Sequence, residues 1–85
     1  MKQTKVKVPW KEGLHARPAA QLVRTAHKFS SEILIKLGET TVNARSILNI
    51  ILLSAAMGAI LDIEVAGDDE DLAIQHIQQV FNERL

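Results

Sequence analysis

Three stretches of the chain alternate apolar and polar residues, which is the pattern of a strand with one buried face. The apolar positions are Val6, Val8 and Trp10 in the first stretch, Ile33, Ile35 and Leu37 in the second, and Leu61, Ile63 and Val65 in the third. Gly38 and Glu39 supply a two-residue turn from the second stretch into a short strand over residues 40–42. The pattern therefore predicts four strands.

Apolar residues at helical spacing predict three helices between and after these strands. The first covers residues 16–29 and ends at Ser30, the second begins at Ser46 and stops near Gly58, and the third begins within residues 68–71. The expected buried positions are Ala19, Leu22, Val23, Ala26 and Phe29 in the first helix, and Ala73, Ile74, Ile77, Val80 and Phe81 in the last.

The resulting order is β-α-β-β-α-β-α, and each strand has a single apolar face. We therefore expect an α+β fold in which a mostly antiparallel sheet carries all three helices on one side. On the polar face, Lys5 and Lys7 of the first strand complement Asp62 and Glu64 of the last. This complementarity predicts that these two strands are neighbours. We expect residues 1–85 to form a single domain.

The charge balance and the apolar segments limit the kinds of partner. Ten basic and ten acidic side chains give a formal charge of zero, which argues against binding nucleic acid through a basic surface. The apolar stretch over residues 47–61 is interrupted by Asn49, Ser54 and Gly58, and it is shorter than the roughly 20 residues of a membrane span. Residues 1–8 have no apolar signal-peptide core. We expect a soluble, cytoplasmic monomer.

The residue types also limit metal and cofactor chemistry. The chain has no cysteine, which excludes disulfides, thiolate metal sites and cysteine nucleophiles. His27 and His76 have no companion at metal-ligand spacing, and we expect both on helix surfaces. The sequence predicts neither a metal site nor a cofactor.

The candidate chemistry lies in Gly13-Leu14-His15-Ala16-Arg17-Pro18-Ala19. If His15 is the N-cap of the first helix, the amides of Ala16 and Arg17 are open to an anion, while Pro18 has no N–H. The imidazole can then accept a phosphoryl group whose oxygens meet the amides and the Arg17 guanidinium. The alternative is that His15 only caps a helix and Arg17 is a solvated surface residue.

This segment closely resembles the active-site signature of the HPr family, the histidine-containing phosphocarrier proteins of the bacterial sugar phosphotransferase system. The segments Val42-Asn43-Ala44-Arg45-Ser46-Ile47 and Gly67-Asp68-Asp69-Glu70 also resemble their HPr counterparts, as do the chain length and the order of elements. The likeness covers essentially the whole chain, and the segment around Ser46 is similar to the Gram-positive form.

The resemblance implies an open-faced β-sandwich with strand order 1-4-2-3. It also implies a stoichiometric carrier rather than an enzyme. A phosphoryl group would reach His15 Nδ1 from enzyme I, itself charged by phosphoenolpyruvate, and would pass to enzyme IIA domains. Arg17 would stabilise that group. Glu12 occupies a position where HPr proteins often have serine or asparagine, and its carboxylate would repel a nearby phosphoryl group.

Ser46 has two compatible interpretations. By residue type it is a good helix N-cap, with its hydroxyl accepting a backbone N–H. By resemblance it is the serine that an ATP-dependent HPr kinase/phosphorylase phosphorylates, with Arg45 adjacent and a positive helix end to receive the phosphate. That regulation would involve a catabolite-control transcription factor as a possible partner.

The second helix is strongly apolar, since Asn49 is the only polar residue between Ser46 and Ser54. One interpretation is a helix that buries a broad face in the core. The other is an exposed docking patch for partner proteins that includes Ile47, Leu48 and Ile51. Arg24 either extends a positive rim for enzyme I or lies on a solvated helix face.

Three functions therefore remain open. The first is a phosphocarrier that uses His15 and Arg17. The second is an HPr-like regulatory module, in which phosphorylation at Ser46 or His15 controls binding to a transcription factor or metabolic enzyme. The third is an unrelated small α/β binding domain, which would require both motifs to be coincidental.

Overall fold

The computed structural model describes residues 1–85 and has the predicted β-α-β-β-α-β-α order. The strands are β1 (Lys2–Lys7), β2 (Glu32–Leu37), β3 (Thr40–Asn43) and β4 (Ile60–Ala66), and the helices are α1 (Ala16–Ala26), α2 (Ile47–Leu52) and α3 (Glu70–Val80). All strand pairs are antiparallel, and the strands follow the order β1-β4-β2-β3. The predicted α+β fold and strand order are confirmed.

One hydrophobic core of 21 residues lies between the sheet and the helices. The sheet residues predicted from the alternation form its floor, because alternate residues of a strand share a face. Residues of α1 and α3 at helical spacing cover that floor. The principal members are Ile33 and Ile35 of β2, Leu61, Ile63 and Val65 of β4, Ala19, Leu22 and Ala26 of α1, and Ala73, Ile77 and Val80 of α3.

The opposite face of the sheet is polar, and β1 lies beside β4 as predicted. Lys5 is directly opposite Asp62, and its Nζ lies 2.5 Å from Asp62 Oδ1. Because the pairing is antiparallel, Glu64 lies opposite Gln3 rather than near Lys7. The carboxylate of Glu64 instead pairs with Lys36 of β2 at 2.6 Å. The expected complementarity therefore holds for Lys5 and is wrong for Lys7, which faces Ile60.

Several elements are shorter than the apolar pattern predicts. Strand β1 ends at Lys7 because Pro9 has no N–H with which to continue the ladder, yet Val8 and Trp10 remain buried. Helix α1 ends at Ala26, before the buried Phe29. In these places burial continues beyond the regular element, and alternation alone cannot distinguish a strand residue from a buried loop residue.

Asp69, at the start of α3, ties that helix to the loop that follows α1. Its Oδ1 accepts hydrogen bonds from the Ser31 hydroxyl at 2.5 Å and from the Ser31 amide at 3.0 Å, and its Oδ2 accepts one from the Ser30 amide at 2.9 Å. These bonds, led by the Ser31 hydroxyl, lower the pKa of the Asp69 carboxyl. The backbone at Gly67 lies close to Ser31. Its φ is +154°, and a Cβ at this position would overlap Ser31.

Asp69→Asn should lower the free energy of unfolding at neutral pH and flatten its decline in acid. The lowered pKa means that the ionised carboxyl stabilises the folded state at pH values above its unfolded-state pKa, close to 3.8. This contribution disappears as the pH falls through the lower folded-state pKa. Urea unfolding from neutral pH to about pH 2 measures both effects. Asp68→Asn is the matched control because Asp68 is exposed, and identical pH profiles for the Asp69 variant and wild type would contradict the assignment.

Candidate functional site

His15 occupies the N-cap of α1, as its place in the sequence predicts. Its backbone is extended (φ −85°, ψ −171°), and its carbonyl accepts the amide of Ala19 at 3.0 Å. The imidazole makes no capping hydrogen bond, and the residue is half-buried. The ring is therefore held by its backbone at a helix start while its nitrogen atoms remain available.

The hydrogen-bond donors beside His15 are also unoccupied. The amides of Ala16 and Arg17 donate to no protein group, and Pro18, which is buried, has no N–H to satisfy. The Arg17 side chain is exposed and takes part in no ion pair or hydrogen bond within the chain. Two amides and one guanidinium without a partner in the protein thus line the same cleft as the imidazole, and their positive potential favours an anion there.

The loop before His15 is fixed by its backbone. Gly13 has a φ of +74°, and the amide of the next residue, Leu14, donates to the carbonyl of Ala55 at 2.8 Å. A Cβ at Gly13 would overlap the Ala55 carbonyl oxygen, so only glycine permits this approach. The buried Leu14 side chain anchors the same turn in the core.

Residues 53–59 support that loop, whereas the sequence predicted a second helix that continues to near Gly58. Helix α2 ends at Leu52, and Ser54 adopts a φ of +55°, which stops the helical path. Beyond it, Gly58 donates to the carbonyl of Val8 at 2.8 Å, and Val8 donates to Ala59 at 2.9 Å. The apolar residues made the predicted helix longer than the observed one. Ser54 and Gly58, which interrupt them, were the available signal that the helix ends earlier.

His15 opens into a cleft of 720 Å³ beside the start of α1. Ala16 and Arg17 lie in its wall, and Glu12 does as well. Arg84, from the segment after α3, also lies there, and no pattern in the sequence indicated it. The full lining is Pro9, Trp10, Lys11, Glu12, His15, Ala16, Arg17, Arg84 and Leu85.

Comparison with known proteins identifies this arrangement. A family model described as the PTS HPr component phosphorylation site matches residues 2–83. The chain belongs to the HPr family. It is 41% identical over 83 residues to the phosphocarrier protein HPr of Buchnera aphidicola, covering 98% of each chain. A family of phosphocarriers therefore contains this chain, and its strand order is the one that the HPr resemblance implied.

Solved HPr structures share this fold. The crystal structure of HPr-C-His from Thermoanaerobacter tengcongensis superposes with a TM-score of 0.89 at 40% identity, covering 100% of both chains. Crh, the catabolite repression protein of Bacillus subtilis, superposes as a swapped dimer with a TM-score of 0.77 at 34% identity, covering 96% of this chain and 94% of that one. The chain is thus similar both to a phosphocarrier and to a protein named for catabolite repression.

Ser46 lies at the N-cap of α2 and outside the His15 cleft. The expectation that its hydroxyl accepts a helix amide is wrong, because the hydroxyl makes no capping bond. Arg45 is also directed elsewhere, since its guanidinium donates to the carbonyl of Phe29. The half-buried Ser46 hydroxyl is consequently unpaired at the start of a helix of only six residues.

The apolar residues of α2 divide between core and surface. Ile50 is buried, as is Leu53 just beyond the helix, whereas Leu48 is 63% exposed and Leu52 is 67% exposed. Ile47 and Ile51 are exposed with them, so the helix does not bury a broad face in the core. We call Ile47, Leu48, Ile51 and Leu52 the α2 patch; Leu52 is the member that the sequence analysis did not single out.

The other candidate residues, Arg24, His27 and His76, lie on helices or at their ends, outside the His15 cleft. Arg24 lies exposed on α1, and its guanidinium donates to Gln21 Oε1 at 2.7 Å. His27 is exposed, while His76 is half-buried and meets the Phe29 ring edge-on with centroids 5.2 Å apart. No three His, Asp or Glu side chains lie close enough together to hold a metal ion. None of the helices is long and apolar enough to cross a membrane.

Gly13→Ala should destabilise this protein more than Gly38→Ala. Both glycines have a positive φ, which costs a residue with a Cβ roughly 1–2 kcal/mol. Only the Gly13 variant adds overlap with Ala55, because the space around Gly38 is open. Urea unfolding measures the two losses, and NMR of the His15 ring reports whether the loop moves. Equal losses of unfolding free energy in the two variants, with unchanged NMR signals of the His15 ring, would contradict the role of Gly13 in supporting the site.

Proposed function

We propose that this protein carries a phosphoryl group on His15 within the phosphotransferase system. The observation that supports this function best is an available imidazole beside two unpaired amides and the unpaired Arg17 guanidinium. These groups are arranged for the oxygens of a phosphoryl group, and membership of the HPr family supplies the chemistry. The protein is a stoichiometric carrier, with turnover belonging to its partner enzymes.

Transfer requires one ring nitrogen of His15, which the HPr resemblance assigns as Nδ1. Its lone pair forms the N–P bond, while the bond from phosphorus to the donor breaks and its electron pair leaves with the donor. The amides of Ala16 and Arg17 meet the phosphoryl oxygens, and the guanidinium offsets their charge as it develops. Because the donors are fixed before the group arrives, little reorganisation accompanies transfer.

Enzyme I would be the donor and enzyme IIA domains the acceptors. We assign their docking to the α2 patch together with Arg24, because α1 and α2 pack together and both present exposed side chains. Aliphatic residues exposed in one short helix are typical of a protein-binding surface. Docking there would bring a partner to the helix whose N-terminus holds His15.

His15→Ala should abolish phosphorylation by enzyme I and phosphoenolpyruvate. Intact-mass measurement should show one phosphoryl group on the wild type, and the group should be lost in acid, as expected of an N–P bond. His27→Ala is the matched control because His27 is an exposed histidine outside the cleft. Failure of a competent enzyme I to modify the wild type would refute the proposed function.

Ser46 supports a second, regulatory function. Its hydroxyl is unpaired and partly exposed, and the chain is similar to Crh, a protein named for catabolite repression. We assign Ser46 as the site of an HPr kinase/phosphorylase, with the phosphorylated protein recognised by a catabolite-control transcription factor. The corresponding alternative function is a regulatory module that controls such a partner and does not contribute to sugar flux.

Ser46→Ala should abolish an acid-stable phosphate formed by ATP and the kinase. A serine ester survives acid that removes a phosphohistidine, so the two modifications can be separated in one sample. Ser54→Ala is the control, since Ser54 is an exposed serine just beyond the same helix. Persistence of the acid-stable phosphate in Ser46→Ala would place the modification on another residue.

A further inference from the structure

Trp10 holds the segment after α3 against the loop that precedes His15. Its side chain is only 6% exposed, and its ring lies 5.3 Å, between centroids, from the ring of Phe81 at the end of α3. Its indole N–H donates to the carbonyl oxygen of Glu83 at 2.8 Å. One aromatic side chain therefore fixes both the end of α3 and the backbone beyond it.

Arg84 lies in the His15 cleft as a result. It follows the anchored Glu83, and its side chain is exposed and forms no hydrogen bond or ion pair within the chain. Lys11 and Arg17 are the other cationic side chains of the cleft, and Glu12 is its single acidic side chain. Cationic side chains thus outnumber acidic ones in the cleft that contains the imidazole, and Arg84 comes from a segment distant in sequence.

We propose that Arg84 is a second arginine of the phosphoryl site, held in position by Trp10. Its guanidinium binds oxygens of the group on His15 and offsets the repulsion from Glu12. A guanidinium presents several donors in one plane and remains protonated, so it suits phosphoryl oxygens and takes no proton during transfer. The bonds that form and break are those of the proposed function, on which this inference rests.

Two roles must be separated in the test. Arg84 either binds the phosphoryl group or only contacts a partner protein, and a readout without any partner distinguishes them. The phosphoryl group has a second ionisation near neutral pH. A cation that touches its oxygens favours the dianion, so removing that cation raises the pH at which the phosphoryl group titrates.

The experiment records the ³¹P resonance of the purified, His15-phosphorylated protein across pH. Arg84→Gln should move the titration midpoint upward, and Arg84→Lys should restore part of the shift. Arg84→Gln should also slow phosphorylation by enzyme I about tenfold, the scale of one charge-assisted hydrogen bond. Lys7→Gln is the matched control, since it removes one positive charge from an exposed lysine outside the cleft.

Trp10→Phe tests the positioning role, because phenylalanine keeps a ring against Phe81 and removes the N–H that reaches Glu83. Its ³¹P titration should shift in the same direction as that of Arg84→Gln. The double variant should titrate like Arg84→Gln alone, since both changes remove one interaction. Thermal unfolding confirms that the variant is folded at the temperature used.

The outcomes are distinct. A ³¹P titration unchanged in Arg84→Gln, on a protein that is phosphorylated at His15, overturns this inference and leaves the proposed function intact. Additive shifts in the double variant overturn the role of Trp10. A wild type that enzyme I cannot phosphorylate overturns the proposed function and this inference with it.

Discussion

The geometry of the His15 site depends on one backbone contact, the hydrogen bond from the Leu14 amide to the Ala55 carbonyl. It joins the turn before α1 to the segment after α2, and the positive φ of Gly13 allows the two backbones to meet. Because His15 makes no side-chain capping bond, its place at the helix start comes from this turn and from its own backbone hydrogen bonds with Gly13 and Ala19, and not from the imidazole. Backbone hydrogen bonds thus position His15, and the imidazole nitrogen atoms are not needed for that purpose.

Because the backbone of the turn positions His15, the polar groups around it can remain without a partner in the protein. Buried backbone amides are almost always hydrogen-bonded, but Ala16 and Arg17 line an open cleft that solvent can enter. The site can therefore keep its donors available without a large cost to folding. Elsewhere polar side chains form hydrogen bonds that stabilise the fold. The two carboxylate oxygens of Asp69, for example, accept three hydrogen bonds.

The sequence was informative where physical rules are local. Alternation at Ile33 and Ile35 located a strand, and a proline three residues after His15 indicated a helix start. The apolar pattern alone does not locate the end of α2, because apolar residues 47–61 serve a helix, a supporting turn and a strand in succession. Arg84 could not be assigned to the cleft, since its position depends on the contact of Trp10 with Glu83, which no local pattern encodes.

The strand order has a consequence for the time at which the site can form. Strand β1 pairs with β4, and the cleft beside His15 includes Arg84, so contacts of long sequence separation complete both the sheet and the site. A ribosome adds about 5–20 residues per second, so the His15 motif is synthesised seconds before the residues that complete its surroundings. A nascent chain therefore exposes the motif without its cleft, and the complete cleft beside His15 belongs only to the chain that has folded around residues 81–84.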